Sequence, residues 1–207
     1  MARIDDYIEA RNLAIETLSR ETFEKIARRS GFEIQTEDRF KVSFLDRVYS
    51  ISFTAFEFSD SAEAEKEVPI QEQVLILHYM MGTGRMDLSR KWIAYREIEG
   101  ASFYFSAFVK RAIDPLKKVF GQNLKGFTTA AKILGGKPIQ FGDAGFEFNL
   151  FPRVPVQLIV WEGDDEFPPE ANILFDQTVG AILSPEDIAW MAGMIVYRMI
   201  KLAHTRP

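Results

Sequence analysis

Apolar positions recur at two periods along this chain. Near the N-terminus Ile4, Ile8, Ile15, Leu18 and Ile26 fall close to one face at helical spacing, which predicts one helix from about Ile4 to Arg29 stopped by Gly31. The period then shortens to two. Phe40, Val42 and Phe44 alternate with polar residues, Asp46-Arg47 make the turn, and Val48–Phe53 return as the second strand of a hairpin with Ser43, Ser50 and Ser52 facing water. Residues 57–67 are acidic and short of large apolar side chains, as expected of an exposed loop. A second helix follows over Ile70–Met81, with Pro69 at its start and Gly82 and Gly84 ending it. His78, among Leu77, Tyr79 and Met80, reads as a packing residue.

The pattern next predicts strands at Lys91–Glu97 and Ser102–Phe105, parted by Glu99-Gly100. Two helical pieces follow, Phe108–Phe120 and Leu124–Leu134, with Asp114-Pro115 as a further break. A late run of strands covers Pro138–Phe141, Gly145–Phe151, Val154–Trp161 and Ala171–Phe175. Val154–Trp161 is almost continuously apolar and is expected to be central, covered on both faces. A last helix begins at Ser184-Pro185-Glu186-Asp187 and runs to His204, with Ile188, Met191, Ile195, Met199 and Leu202 on one stripe and Trp190, Met194 and Tyr197 on another. Elements grouped in this way, without strict strand–helix alternation, define an α+β fold with a mainly antiparallel sheet, helices packed against it and a long apolar C-terminal helix. No linker or repeat divides the 207 residues, so a single domain over 1–207 is expected.

Composition removes several chemistries. The chain has no cysteine, hence no disulfide, no thiolate metal site and no cysteine nucleophile. His78 and His204 are too few for a histidine-rich metal centre, so a bound metal would need oxygen ligands. The N-terminus has early acids and no long apolar core, and Ile188–Tyr197 is shorter than the roughly 20 residues of a membrane span, so no membrane association and a cytoplasmic location are expected. Charge is uneven. Residues 85–137 carry 11 basic and 4 acidic side chains, while the flanking segments are each net −6. The expected use of the basic middle is pairing with flanking acids, with anion binding as the alternative. Nucleic acid is disfavoured, because the whole chain has a pI near 5.2.

Two constellations could carry chemistry. Trp161-Glu162-Gly163-Asp164-Asp165-Glu166-Phe167-Pro168-Pro169 follows the most apolar strand. Its acids suit a hard cation, with Asp164, Asp165 and Glu166 as ligands, although the spacing is not that of a calcium-binding loop. The other reading is a Gly-Asp turn with solvated carboxylates and Phe167 plugging the core. The second constellation is Trp92, Tyr95, Arg96 and Glu97. An arginine among aromatics can bind a carboxylate or phosphate in two-pronged fashion, or staple the fold by pairing with the acidic turn. Gly82-Thr83-Gly84-Arg85 and Gly135-Gly136-Lys137 lack the full phosphate-loop pattern and read as helix stops. No serine elbow or histidine spacing indicates a hydrolase.

The segments KWIAYREIEG (Lys91–Gly100), VPVQLIVWEGDDEFPPEANILFD (Val154–Asp176) and LSPED (Leu183–Asp187) resemble those of an uncharacterised bacterial and archaeal family, domain of unknown function 3786. The matches spread from about Glu72 to Ile188. The resemblance implies occurrence mainly in anaerobes and, in some relatives, an adjoining four-cysteine iron–sulfur module that this chain lacks. It implies no established activity and no named cofactor. The reading that follows is a ligand-binding or accessory domain working with a separate iron–sulfur or corrinoid protein in redox or one-carbon metabolism. The alternatives are a small enzyme with a divalent cation at the acidic turn, and a structural homodimer joined through the last helix.

Overall fold

The structure, a computed structural model, describes residues 4–82 and 87–204. The glycine pattern at 82–85 therefore falls largely outside the described residues, as does the expected helix stop at Gly84. The architecture is α+β with two antiparallel sheets. The chain divides into two compact units, one built from residues 1–87 with 151–153 and 181–183, the other from the remainder.

In the first unit the expected N-terminal helix is two. α1 (Ile4–Leu18) ends before a turn, and Thr22 caps α2 (Phe23–Ser30) by accepting from the Lys25 N–H. Arg29 closes this corner, gripping both carboxylate oxygens of Glu21 at 2.8 and 2.9 Å and donating Nε to the Met80 carbonyl at 2.8 Å. Gly31, at φ +72°, ends α2 as expected. Ala14 and Leu18 are the buried residues of α1; Ile4 and Ile8, expected in the core, are exposed.

A four-stranded sheet follows in the order β1 (Glu33–Thr36), β2 (Arg39–Phe44), β3 (Arg47–Ser52) and β4 (Phe58–Asp60). The hairpin at β2–β3 pairs Phe44 with Arg47, so its two-residue turn is Leu45-Asp46, with Leu45 at φ +55°. Ser52 is buried rather than outward, because the chain doubles back and Glu57 donates its N–H to the Ser52 hydroxyl. The acidic segment is also not wholly a loop: it contributes β4, whose buried Asp60 meets Arg47 at 2.5 Å. α3 (Ile70–Met81) starts at Pro69 and supplies Tyr79, which stacks on Phe151 at 4.2 Å. The buried Glu72 of α3 accepts a hydrogen bond from the Tyr49 hydroxyl.

The second unit holds a five-stranded sheet in the order β5-β9-β8-β7-β6, with β5 at Trp92–Ala94, β6 at Lys137–Ile139, β7 at Ala144–Phe151, β8 at Val154–Trp161 and β9 at Glu170–Asp176. β8 is central and buried from Val154 to Val160, as its apolar run predicts. The strands expected at 91–105 are mostly absent. After β5 the chain forms short 3₁₀ turns at Tyr95–Glu97 and Ala101–Phe103 and enters helix α4 (Phe105–Phe108). Gly100, at φ +77°, makes the corner between the two turns.

Asp114-Pro115 widens the helix instead of breaking it. Pro115 has no N–H to offer the Arg111 carbonyl, and the chain passes through a π turn (Val109–Ile113), with Asp114 donating to Val109, before α5 (Asp114–Phe120). Asn123 then caps α6 (Leu124–Ile133). The final helix, α7 (Pro185–His204), buries Ile188, Met191, Ile195, Val196 and Met199, while Tyr197 is exposed. No helix among the described residues is long and apolar enough to cross a membrane.

Candidate functional site

Three loops meet at one end of the five-stranded sheet: 140–143 between β6 and β7, 162–169 between β8 and β9, and the Gly121-Gln122 turn between α5 and α6. Backbone geometry forces the meeting. Antiparallel pairing of Trp161 with Glu170 closes the β8–β9 hairpin there. The acidic turn is then tied in on both sides. Gly163 donates to the Gly121 carbonyl (3.1 Å) and accepts from Gln122 Nε2 (2.7 Å), and the Glu162 N–H donates to Asp143 Oδ2 (2.8 Å).

Asp164 closes the turn from inside. Its Oδ1 accepts from the Glu166 N–H (2.8 Å) and the Phe167 N–H (2.7 Å), while its own N–H donates to the Phe167 carbonyl (2.9 Å). Those bonds, with Phe167 N–H first and Glu166 N–H second, hold the carboxyl below the usual aspartate range. This oxygen is occupied with turn closure. No group of three or more acidic or histidine side chains suited to a metal ion is present among the described residues.

Close packing leaves no slack under the turn. A Cβ on Gly163 would lie 2.6 Å from Pro169 Cδ and N, and one on Gly121 would lie 2.4 Å from Pro169 Cβ. Gly163→Ala is therefore expected to cost about 1–3 kcal/mol, read as a lower urea midpoint. An unchanged midpoint would show that the loops are not locked.

Phe167 does not plug the core. It stands 67% exposed, Phe141 of the neighbouring loop is 59% exposed, and Trp161 below them is half-buried. The two prolines after Phe167 fix the exit of the chain but do not fold the ring inward. Sequence reasoning missed Phe141, Asp143 and Gln122. The only signal was the Gly142-Asp143 dipeptide, a turn pattern that says nothing about which loop it meets.

The second constellation lies elsewhere in this unit. Trp92 pairs with Asp176 on β5–β9, and Glu97 Oε2 accepts from the Ala94 N–H (2.7 Å), capping the 3₁₀ turn. The Arg96 guanidinium lies 3.8 Å over the Phe105 ring. Among the described residues neither an ion pair nor a hydrogen bond joins Arg96 to the acidic turn, so the expected staple is not formed. The basic middle likewise does not pair as expected. Lys110, Lys117, Lys118, Lys125, Lys132 and Lys137 make no ion pair among the described residues, whereas pairs such as Arg29–Glu21, Lys41–Glu33 and Arg47–Asp60 form within residues 16–66.

The residue with most hydrogen bonds here is one that sequence reasoning passed over. Asp176, 1% exposed, accepts from the Ser89 N–H and hydroxyl, the Arg90 N–H, and the Thr178 N–H and hydroxyl, at 2.7–3.1 Å. The carboxylate thereby clamps the segment before β5 to the end of β9.

An α+β protein of two antiparallel sheets, with aromatic side chains displayed on interlocked loops, is the class these features define. The family model for "Domain of unknown function (DUF3786)" matches residues 22–198, and the chain belongs to that family. No curated protein and no solved structure matches the chain.

Proposed function

We propose that this chain is an accessory binding protein, and that the loop end of its second unit docks a protein partner. The observation that carries the reading is Phe167: 67% exposed on a turn whose backbone is closed by Asp164 and anchored by Gln122 and Asp143. An aromatic held outward by a fixed backbone loses little freedom on binding and suits an anchor in a partner's pocket. Glu162, Asp165 and Glu166 are exposed around it, so the complementary rim is basic. The family resemblance extends this to a separate iron–sulfur or corrinoid redox protein, since this chain has no thiolate of its own.

Quantitative cross-linking in lysate of the source cells, grown without oxygen, tests the reading. A partner captured by wild type should fall about tenfold or more with Phe167→Ser, and less with Phe141→Ser. Equal capture by both variants sinks it. Melts with added magnesium or calcium should show no gain in melting temperature. A gain that Asp165→Asn removes would replace the docking reading with a cation site.

A further inference from the structure

We propose that the outward face of α6, in the second unit, is a docking surface for an acidic amphipathic segment of a partner protein. Helical geometry gathers the face. Phe127, Ala130 and Ala131 point into the core. Lys125, Thr129, Lys132 and Ile133 are all exposed and fall within about 100° of arc on the opposite side. The two lysines are separated by two turns, about 10 Å along the axis. Ile133, 39% exposed, stands beside Lys132.

The charge of this face is uncompensated. Neither lysine's ammonium makes an ion pair or hydrogen bond among the described residues, and the residues outside them contain no aspartate or glutamate. α6 itself has no acidic residue. From 105 to 133 the bases Lys110, Arg111, Lys117, Lys118, Lys125 and Lys132 stand against the single acid Asp114. α7 packs against α6 and has acids only in its first turn, where Glu186 accepts from the Tyr104 hydroxyl and Asp187 from Ser184. Exposed lysines of the first unit behave differently: Lys41 meets Glu33 at 2.8 Å and Lys66 meets Glu63 at 2.9 Å.

The side chains select the occupant. The face has no aromatic ring to stack a base and no arginine fork to read one, and a phosphate backbone would leave Ile133 uncovered. An isologous contact between two copies would set lysines against the same lysines. A polypeptide segment with carboxylates two turns apart and an apolar residue beside one of them neutralises Lys125 and Lys132 and covers Ile133. This surface shares no residue with the loop end and stands or falls without it.

The test uses the full chain labelled with ¹⁵N and a synthetic peptide of about four turns, leucine at i, i+4 and i+7 and glutamate elsewhere. Saturable shift changes are expected at residues 124–134, with affinity that falls as salt rises. Lys125→Gln with Lys132→Gln should weaken the peptide roughly fivefold and flatten the salt dependence, whereas arginine at both positions should preserve them. Ile133→Ser should weaken the leucine peptide about threefold and leave polyglutamate of the same length unchanged. Three results each overturn the proposal: tighter binding of an oligothymidylate than of the peptide, equal binding by the glutamine pair, or shifts on α6 that follow protein concentration without peptide.

Discussion

Asp176→Ala will destabilise the protein by about 3–5 kcal/mol, seen as a large fall in the urea midpoint, because five donors lose one buried acceptor together. Ser89 and Arg90 are 86–87 residues distant in sequence, and Arg90 sits at φ +59°, a conformation the clamp holds against its preference. Asp176→Asn, which keeps an acceptor but turns an amide toward donors, should lose roughly half as much. The effect has a pH signature. Burial alone would raise this carboxyl, but bonds from Thr178 and Ser89 outweigh it and hold it below the ordinary aspartate value. Its contribution is therefore full above about pH 4, and fades as pH falls through the lowered folded value. The gap between wild type and Asp176→Asn should close over that acid window. A gap independent of pH would show that the carboxylate charge is not what the clamp uses.

Truncation after Leu183 should remove more stability than the fold has. Ile188, Met191, Ile195, Val196 and Met199 of α7 are fully buried. At about 1.5–3 kcal/mol each they contribute about 8–15 kcal/mol, against a typical total of about 5–15. The truncated chain should be insoluble or lack a cooperative melt. A cooperative transition near the wild-type temperature would refute the helix's place in the core. A milder companion, Ile195→Ala, should cost about 2–5 kcal/mol and remain foldable.

Local pattern made much of this fold legible. The β2–β3 hairpin, α3, the strands β7–β9 and α7 carry periodicities and stop signals that depend only on neighbours in sequence. What was illegible depends on distant partners. Ile4 and Ile8 have core spacing, yet whether a helix face is covered is decided by α3 and its surroundings. The 91–105 region is aromatic enough for strands, but Gly100 and the capping carboxylate of Glu97 turn it into 3₁₀ corners. The acidic turn was visible as a turn, whereas its closure by Asp164 and its tether to Gln122 and Asp143 link loops up to 41 residues apart. Arg96 was expected beside the turn because both are distinctive in sequence, and distinctiveness carries no distance.

The first unit is not finished when its main segment is. Phe151 stacks on Tyr79 at 4.2 Å and on Phe44 at 4.8 Å, and Ile182 packs on Gly82, so residues 1–87 alone lack the ring that fills their centre. A ribosome delivers Phe151 only 64 residues after Asp87, and Ile182 only 95 residues after it. During translation, at roughly 5–20 residues per second, the early sheet waits several seconds with an open aromatic core. Nascent chains are thus most exposed to chaperones and proteases before Phe151 and Ile182 emerge, and protection of the first unit should wait for both.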